Sequence, residues 1–172
     1  MIAAVVWESS TREVGIASHL IAAVACGAAW VRSGRVSRLA SALGLLELFL
    51  LLDAAFNWRW IVHGLLMNMA MKQHVYGERK LPQELILALL FAITSIAIIM
   101  TLGYLRGRPG ACLSICGALI SAALWFIEVI SLHATDVILQ RSLGRLMLVA
   151  LMWMASSSMT AVGILWDVER QA

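Results

Sequence analysis

Residues 39–74 read LASALGLLELFLLLDAAFNWRWIVHGLLMNMAMKQH, and no proline interrupts them. The first half, 39–58, is an apolar stretch of membrane-spanning length. It holds two acids, Glu47 and Asp53. The second half carries Arg59, His63, three alternating methionines and His74. One helix over the whole stretch would be ~54 Å long at 1.5 Å per residue, far more than a hydrocarbon core of ~30 Å. Either the helix projects well beyond the bilayer, or it breaks near Asn57–Arg59 and continues as an amphipathic interfacial segment. Trp58 and Trp60 mark the exit level, where indoles favour the headgroup boundary.

The rest of the chain supports a membrane reading. Of 172 residues, 62% are hydrophobic and 13% charged, and mean hydropathy is +0.88. That charged share is about half the ~25% of a soluble domain. Four further apolar segments lie at 14–31, 83–105, 111–131 and 143–166. The expected fold is therefore all-α, a polytopic transmembrane bundle of about five spans. Residues 1–172 form one integral membrane domain, with no soluble domain. Residues 1–13 are too short to span, Trp7 is an interfacial anchor, and the tail DVERQA is short and solvated. Pro82 suits the first turn of the third span, and Arg106-Gly-Arg-Pro-Gly makes a tight turn before the fourth. The linker VILQRSLGR either continues the fourth span or lies on the surface.

Five spans put the termini on opposite sides. RSGRVSR and RGRPG are short, acid-free and basic only through Arg, the loops that the positive-inside rule weights most. The expectation is a multi-pass protein of the cell membrane with these loops cytoplasmic and the N-terminus outside. Net charge is +3. Its basic clusters border apolar runs, which points to the lipid bilayer and not to nucleic acid. Cys26, Cys112 and Cys116 fall towards the cytoplasmic side, as reduced packing residues.

All four histidines fall on the N-terminal side. His19 and Asp53 come out at similar depth, which suggests a hydrogen bond between them. Glu47 lies near mid-bilayer with no evident basic partner. It is either a proton-relay or ligand-anchoring acid, or it bonds to the serines of the fifth span, Ser156–Ser158. Ionisable groups at such depth normally pair or face the bundle. Arg59 can pair with Glu128 or Asp136, bind an anionic headgroup, or snorkel. Glu47, Asp53, Arg59, Glu128 and Asp136 are thus the candidates for a ligand or partner site.

His63, Met67, Met71 and His74 share a helical face, at offsets that suit soft ligands of Cu(I) or plain apolar packing. MNMAM resembles the methionine motifs of copper-handling proteins, which implies copper as a ligand. Two neutral histidines, His19 and His133, are a conceivable axial pair for haem b. His133 and Asp136, at i and i+3, can interact on one helix, whereas Glu128 and His133 point roughly 140° apart. No zinc, nucleotide or nucleophile motif is present, and the clustered serines have no evident histidine at their depth. Hydrolase chemistry is disfavoured. The favoured function is non-enzymatic: a subunit or ligand- and lipid-binding module of a membrane assembly, through a polar cluster on the N-terminal side. Partners would be other membrane subunits or a second copy. A redox or metal protein using the His/Met set is the alternative, and a small proton-coupled transporter using Glu47 and Asp53 is a further one.

Overall fold

The computed structural model describes residues 2–33, 37–72, 80–130, 133–144 and 146–171, with the side chains of 2–9, 37, 70, 133 and 134 outside that description. Among the described residues it is all-α apart from one two-residue hairpin. Seven helices run in order: α1 (Ile2–Arg32), α2 (Ser37–Phe56), α3 (Trp58–Lys72), α4 (Lys80–Tyr104), α5 (Pro109–Ile130), α6 (His133–Leu139) and α7 (Leu148–Glu169). Five segments are long and apolar enough to cross a membrane: Ser10–Arg32, Arg38–Phe56, Lys80–Tyr104, Pro109–Ile130 and Leu148–Glu169.

Of the two alternatives for the long second run, the structure takes the break, between Phe56 and Trp58. Asn57 adopts φ 61°, the left-handed conformation, which Asn tolerates better than most residues. Its amide donates to the Asp53 carbonyl at 2.6 Å, closing α2, and Trp60 N–H donates to the Asn57 carbonyl at 3.2 Å, opening α3. The Asp53 carboxylate then caps the new helix, accepting the Arg59 amide at 2.7 Å. An Asn57→Ala substitution is expected to cost ~1–2 kcal/mol through its positive φ, and Asn57→Gly much less. Unfolding in detergent would measure the difference, and equal loss in both variants would contradict this account of the break.

α7 lies at the centre, between α1 and α5, with α2 packed on α1 and α4 on the far side of α5. The α5–α7 contact is close because its residues are small. A Cβ built on Gly117 would lie 2.5 Å from the Ser156 carbonyl oxygen, and one on Gly163 would lie 2.4 Å from the Ser114 amide nitrogen. Across the same seam Ser121 donates to Ser156 at 2.7 Å. Small faces allow this approach where burial of apolar area against lipid provides little drive. One apolar cluster, including Ala22, Cys26, Leu43 and Ile164, fills the half of the bundle near the α1–α2 connection. A second, Leu124, Leu139, Val149 and Trp153, fills the other half.

Two boundaries differ from expectation. α1 does not begin near Val14 but runs back as one helix to Ile2, since nothing in residues 2–13 breaks a helix. The fifth span starts at Leu148 rather than 143. Ser142–Leu143 and Leu146–Met147 pair as an antiparallel hairpin, turned at Gly144 with φ 69°. Met147 N–H reaches the Thr11 hydroxyl at 3.3 Å, tying this hairpin to α1.

Candidate functional site

Polar contacts establish which helix ends lie together. At one end, Arg12 donates to the carbonyls of Ala54, at 3.2 Å, and Ala55. At the same end His63 Nδ1 lies 3.1 Å from the Val129 carbonyl oxygen, and Gln83 donates to that of Ile130 at 3.0 Å. The opposite end is held by Arg108 and Asp167. The polar core begins at the first end and reaches about two turns inward.

Its outer part is centred on Arg59, which is 7% exposed. The guanidinium pairs with Glu128 through Nη1. Its Nε lies 3.1 Å from Asp53 Oδ2, a close ion pair that lacks the alignment of a hydrogen bond. The Trp153 ring lies 4.5 Å from the guanidinium carbon, in cation–π geometry. Trp153 is itself wedged against α1, where a Cβ on Gly15 would come within 2.7 Å of the indole. One turn further along α1, the His19 ring centroid is 6.4 Å from that of the indole. Asp53 therefore has two roles: it caps α3, and it neutralises the arginine that α3 brings in.

The inner part joins three helices. His19 of α1 lies with Nδ1 2.7 Å from Glu47 Oε2 of α2. Ser157 Oγ of α7 is 3.0 Å from the same nitrogen and 3.4 Å from the same carboxylate oxygen. With its proton on Nδ1, His19 donates to Glu47, and the Ser157 hydroxyl donates to that carboxylate too. Glu47 is fully buried, and its other oxygen, Oε1, has no hydrogen-bond partner among the described residues.

This geometry corrects three expectations. His19 does not pair with Asp53. Because α1 extends back past Thr11 and Arg12 to the level of Ala54–Ala55, His19 sits seven residues, or ~10 Å, deeper. That depth is the level of Glu47, which therefore does have a basic partner. It is also the level of the serines, so Ser157 does have a histidine beside it. The trio is nonetheless not a nucleophilic triad. That mechanism needs the hydroxyl on one ring nitrogen and the carboxylate on the other, whereas here both converge on Nδ1.

The other candidates are placed separately. His63 is half-buried, edge-on to Trp60 at 5.7 Å between centroids. Met67 is half-buried beside it on α3, and Met71 is 45% exposed. Asp136 lies in the first turn of α6. His74 and the His133 side chain lie outside the described residues. Among those described, no three His, Cys, Asp or Glu residues are grouped so as to hold a metal ion.

One buried pair escaped the sequence reading. Asp167, taken with the solvated tail, is 2% exposed within α7. Arg108, in the turn before α5, grips it with Nη2 to Oδ2 at 2.6 Å and Nε to Oδ1 at 3.4 Å. Hydrogen bonding to Asp167 raises the already high pKa of Arg108. The available signal was an arginine just before Pro109 and an acid just after Trp166, two residues at the same membrane boundary.

Compared with protein-family models, curated proteins and solved structures, this chain has no match.

Proposed function

We propose that the protein is a non-enzymatic subunit of a membrane assembly that crosses the membrane five times and meets its partners through α4 and the exposed side of α3. One observation carries the reading: none of the residues of α4 is buried, over 25 residues. The buried charges, by contrast, face one another: His19 with Glu47, Arg59 with Asp53 and Glu128, Asp167 with Arg108. Their geometry supports a role in holding this chain's own helices. Of the three carboxylates Glu47, Asp53 and Glu128, that of Glu128 is the most open, 16% exposed, and is the one a polar partner would reach. On α3, Ile61, Leu65, Leu66 and Met69 are all more than half exposed.

Photo-crosslinking residues placed singly at Leu89, Ile93, Ile96 and Met100 in native membranes test this. These positions share one face of α4. The expected result is a protein adduct of one discrete mass from this face. Adducts with lipid alone at all four positions would refute the reading. On orientation, the RGRPG side is cytoplasmic in this proposal, and the N-terminus is outside. Cysteines introduced at Gly107 and Gln140 should then react from opposite faces of sealed vesicles, Gly107 from the cytoplasmic one.

A second reading, proton-coupled transport, is favoured by the buried Oε1 of Glu47 beside His19, which has no hydrogen-bond partner among the described residues. A carboxyl and an imidazole at hydrogen-bond distance can exchange a proton, and such groups inside membranes mark proton relays. Proteoliposomes holding a pH dye would show a proton flux that Glu47→Gln abolishes. A flux equal to that of empty vesicles would rule this reading out.

A further inference from the structure

The lipid-facing side of the α1–α2 pair carries an apolar groove that the polar core does not involve. Its volume is about 390 Å³, within the ~300–1,000 Å³ of small-molecule sites. The floor is made of small residues, including Gly27 of α1 and Ser41 and Gly44 of α2. A Cβ on Gly44 would lie 3.2 Å from that of Cys26, so the helices touch at the floor, whereas one on Gly27 would meet nothing within 4 Å. Trp30 and Leu45 form exposed walls, at 56% and 68%.

The groove opens towards the helix ends that carry Arg32 and Arg38, and the sequence has no acid between Glu13 and Glu47. Arg32 and Arg38 are both exposed. Arg38 precedes Ser41 by three residues and Leu45 by seven, which places it along the Leu45 edge of the groove. Trp30 lies at the level where indoles meet headgroups. An apolar trough thus runs up to a cluster of cations at the membrane surface.

We propose that this groove binds an anionic phospholipid, one acyl chain lying along the small-residue floor and the phosphate held by Arg38 and Arg32. Both halves of the ligand are matched: the trough accepts hydrocarbon, and the arginines, neither of them in an ion pair with an acid among the described residues, accept a phosphate. The other occupant that small floors admit is a helix from a second copy. Copies in one membrane share an orientation, so a two-fold pairing through this groove would bring both arginine clusters together at the same level. The uncompensated repulsion favours lipid over a second copy.

The test uses the full chain in phosphatidylcholine vesicles containing brominated phosphatidylglycerol or brominated phosphatidylcholine. Quenching at Trp30 is read as the difference between the protein and its Trp30→Phe variant. The expected preference for the anionic lipid is about 25-fold, with about fivefold lost in Arg38→Gln, since each of the two surface arginines contributes about fivefold. Gly27→Leu, which projects into open space, should remove the saturable quenching while leaving thermal unfolding unchanged. Equal quenching by the two brominated lipids would overturn the proposal, as would quenching that survives Gly27→Leu. A disulfide-linked dimer formed through Ser41→Cys would assign the groove to a second copy instead, and would equally overturn it.

Discussion

Arg59→Ala is expected to destabilise the protein by ~3–5 kcal/mol, the cost of breaking a buried ion pair by removing one partner. Two carboxylates depend on this guanidinium. Asp53 is 1% exposed and the Glu128 side chain 16%, so neither is adequately rehydrated when the cation goes. The loss also uncovers the face of Trp153. Thermal or denaturant unfolding in detergent would give the size. Arg59→Lys keeps the charge but not the planar fork, and should recover only part of the loss. The triple variant Arg59→Met, Asp53→Asn, Glu128→Gln should be more stable than Arg59→Ala, because no uncompensated charge remains. A drop of under ~1 kcal/mol in Arg59→Ala would mean the cluster behaves like a solvated surface pair.

Gly163→Leu is expected to disrupt the α5–α7 seam. Even the first side-chain carbon would stand 2.4 Å from the Ser114 amide nitrogen and 2.7 Å from the Gly110 carbonyl oxygen. These are backbone atoms, which cannot rotate away, so the helices must part. Overpacking a well-filled site costs ~1–3 kcal/mol and sometimes more; a clash with backbone belongs at the upper end. Separation would also break the Ser121–Ser156 hydrogen bond, but interhelical hydrogen bonds in membranes average only ~0.6 kcal/mol. Steric separation is thus the larger effect. Gly163→Ala should show a smaller loss of the same sign, and Gly27→Ala, in open space, little. Equal stability of the Gly163 and Gly27 variants would contradict the close seam.

The two largest effects were not equally visible in the chain. Glu47 and Asp53 stand out as acids in an apolar run, and Arg59 was matched to Glu128 as one of two possible acids. The partner of Glu47 is not legible, because hydropathy puts the start of the first span near Val14. Starting the first span at Ser10, about one turn earlier, moves His19 inward towards the level of Glu47 and away from that of Asp53. Asp167 is not legible either, because a charged residue at the end of an apolar run resembles a solvated tail until an arginine from another turn is placed against it. Hydropathy registers how much apolar length a segment has, and is nearly blind to a shift of one turn.

The amino-acid sequence alone determined the all-α class and five segments long enough to cross a membrane, and it offered a break near Asn57–Arg59 as one of two alternatives. These follow from local properties: apolar run length, the absence of proline, and the few residues that tolerate a left-handed turn. Only the tertiary structure decided which acid meets which base, that His19 and Ser157 share the Glu47 carboxylate, and that both engage a single ring nitrogen. The reason is geometric. A hydrogen bond is made or lost within about 1 Å, whereas one helical turn, the uncertainty in where a helix begins, is ~5.4 Å.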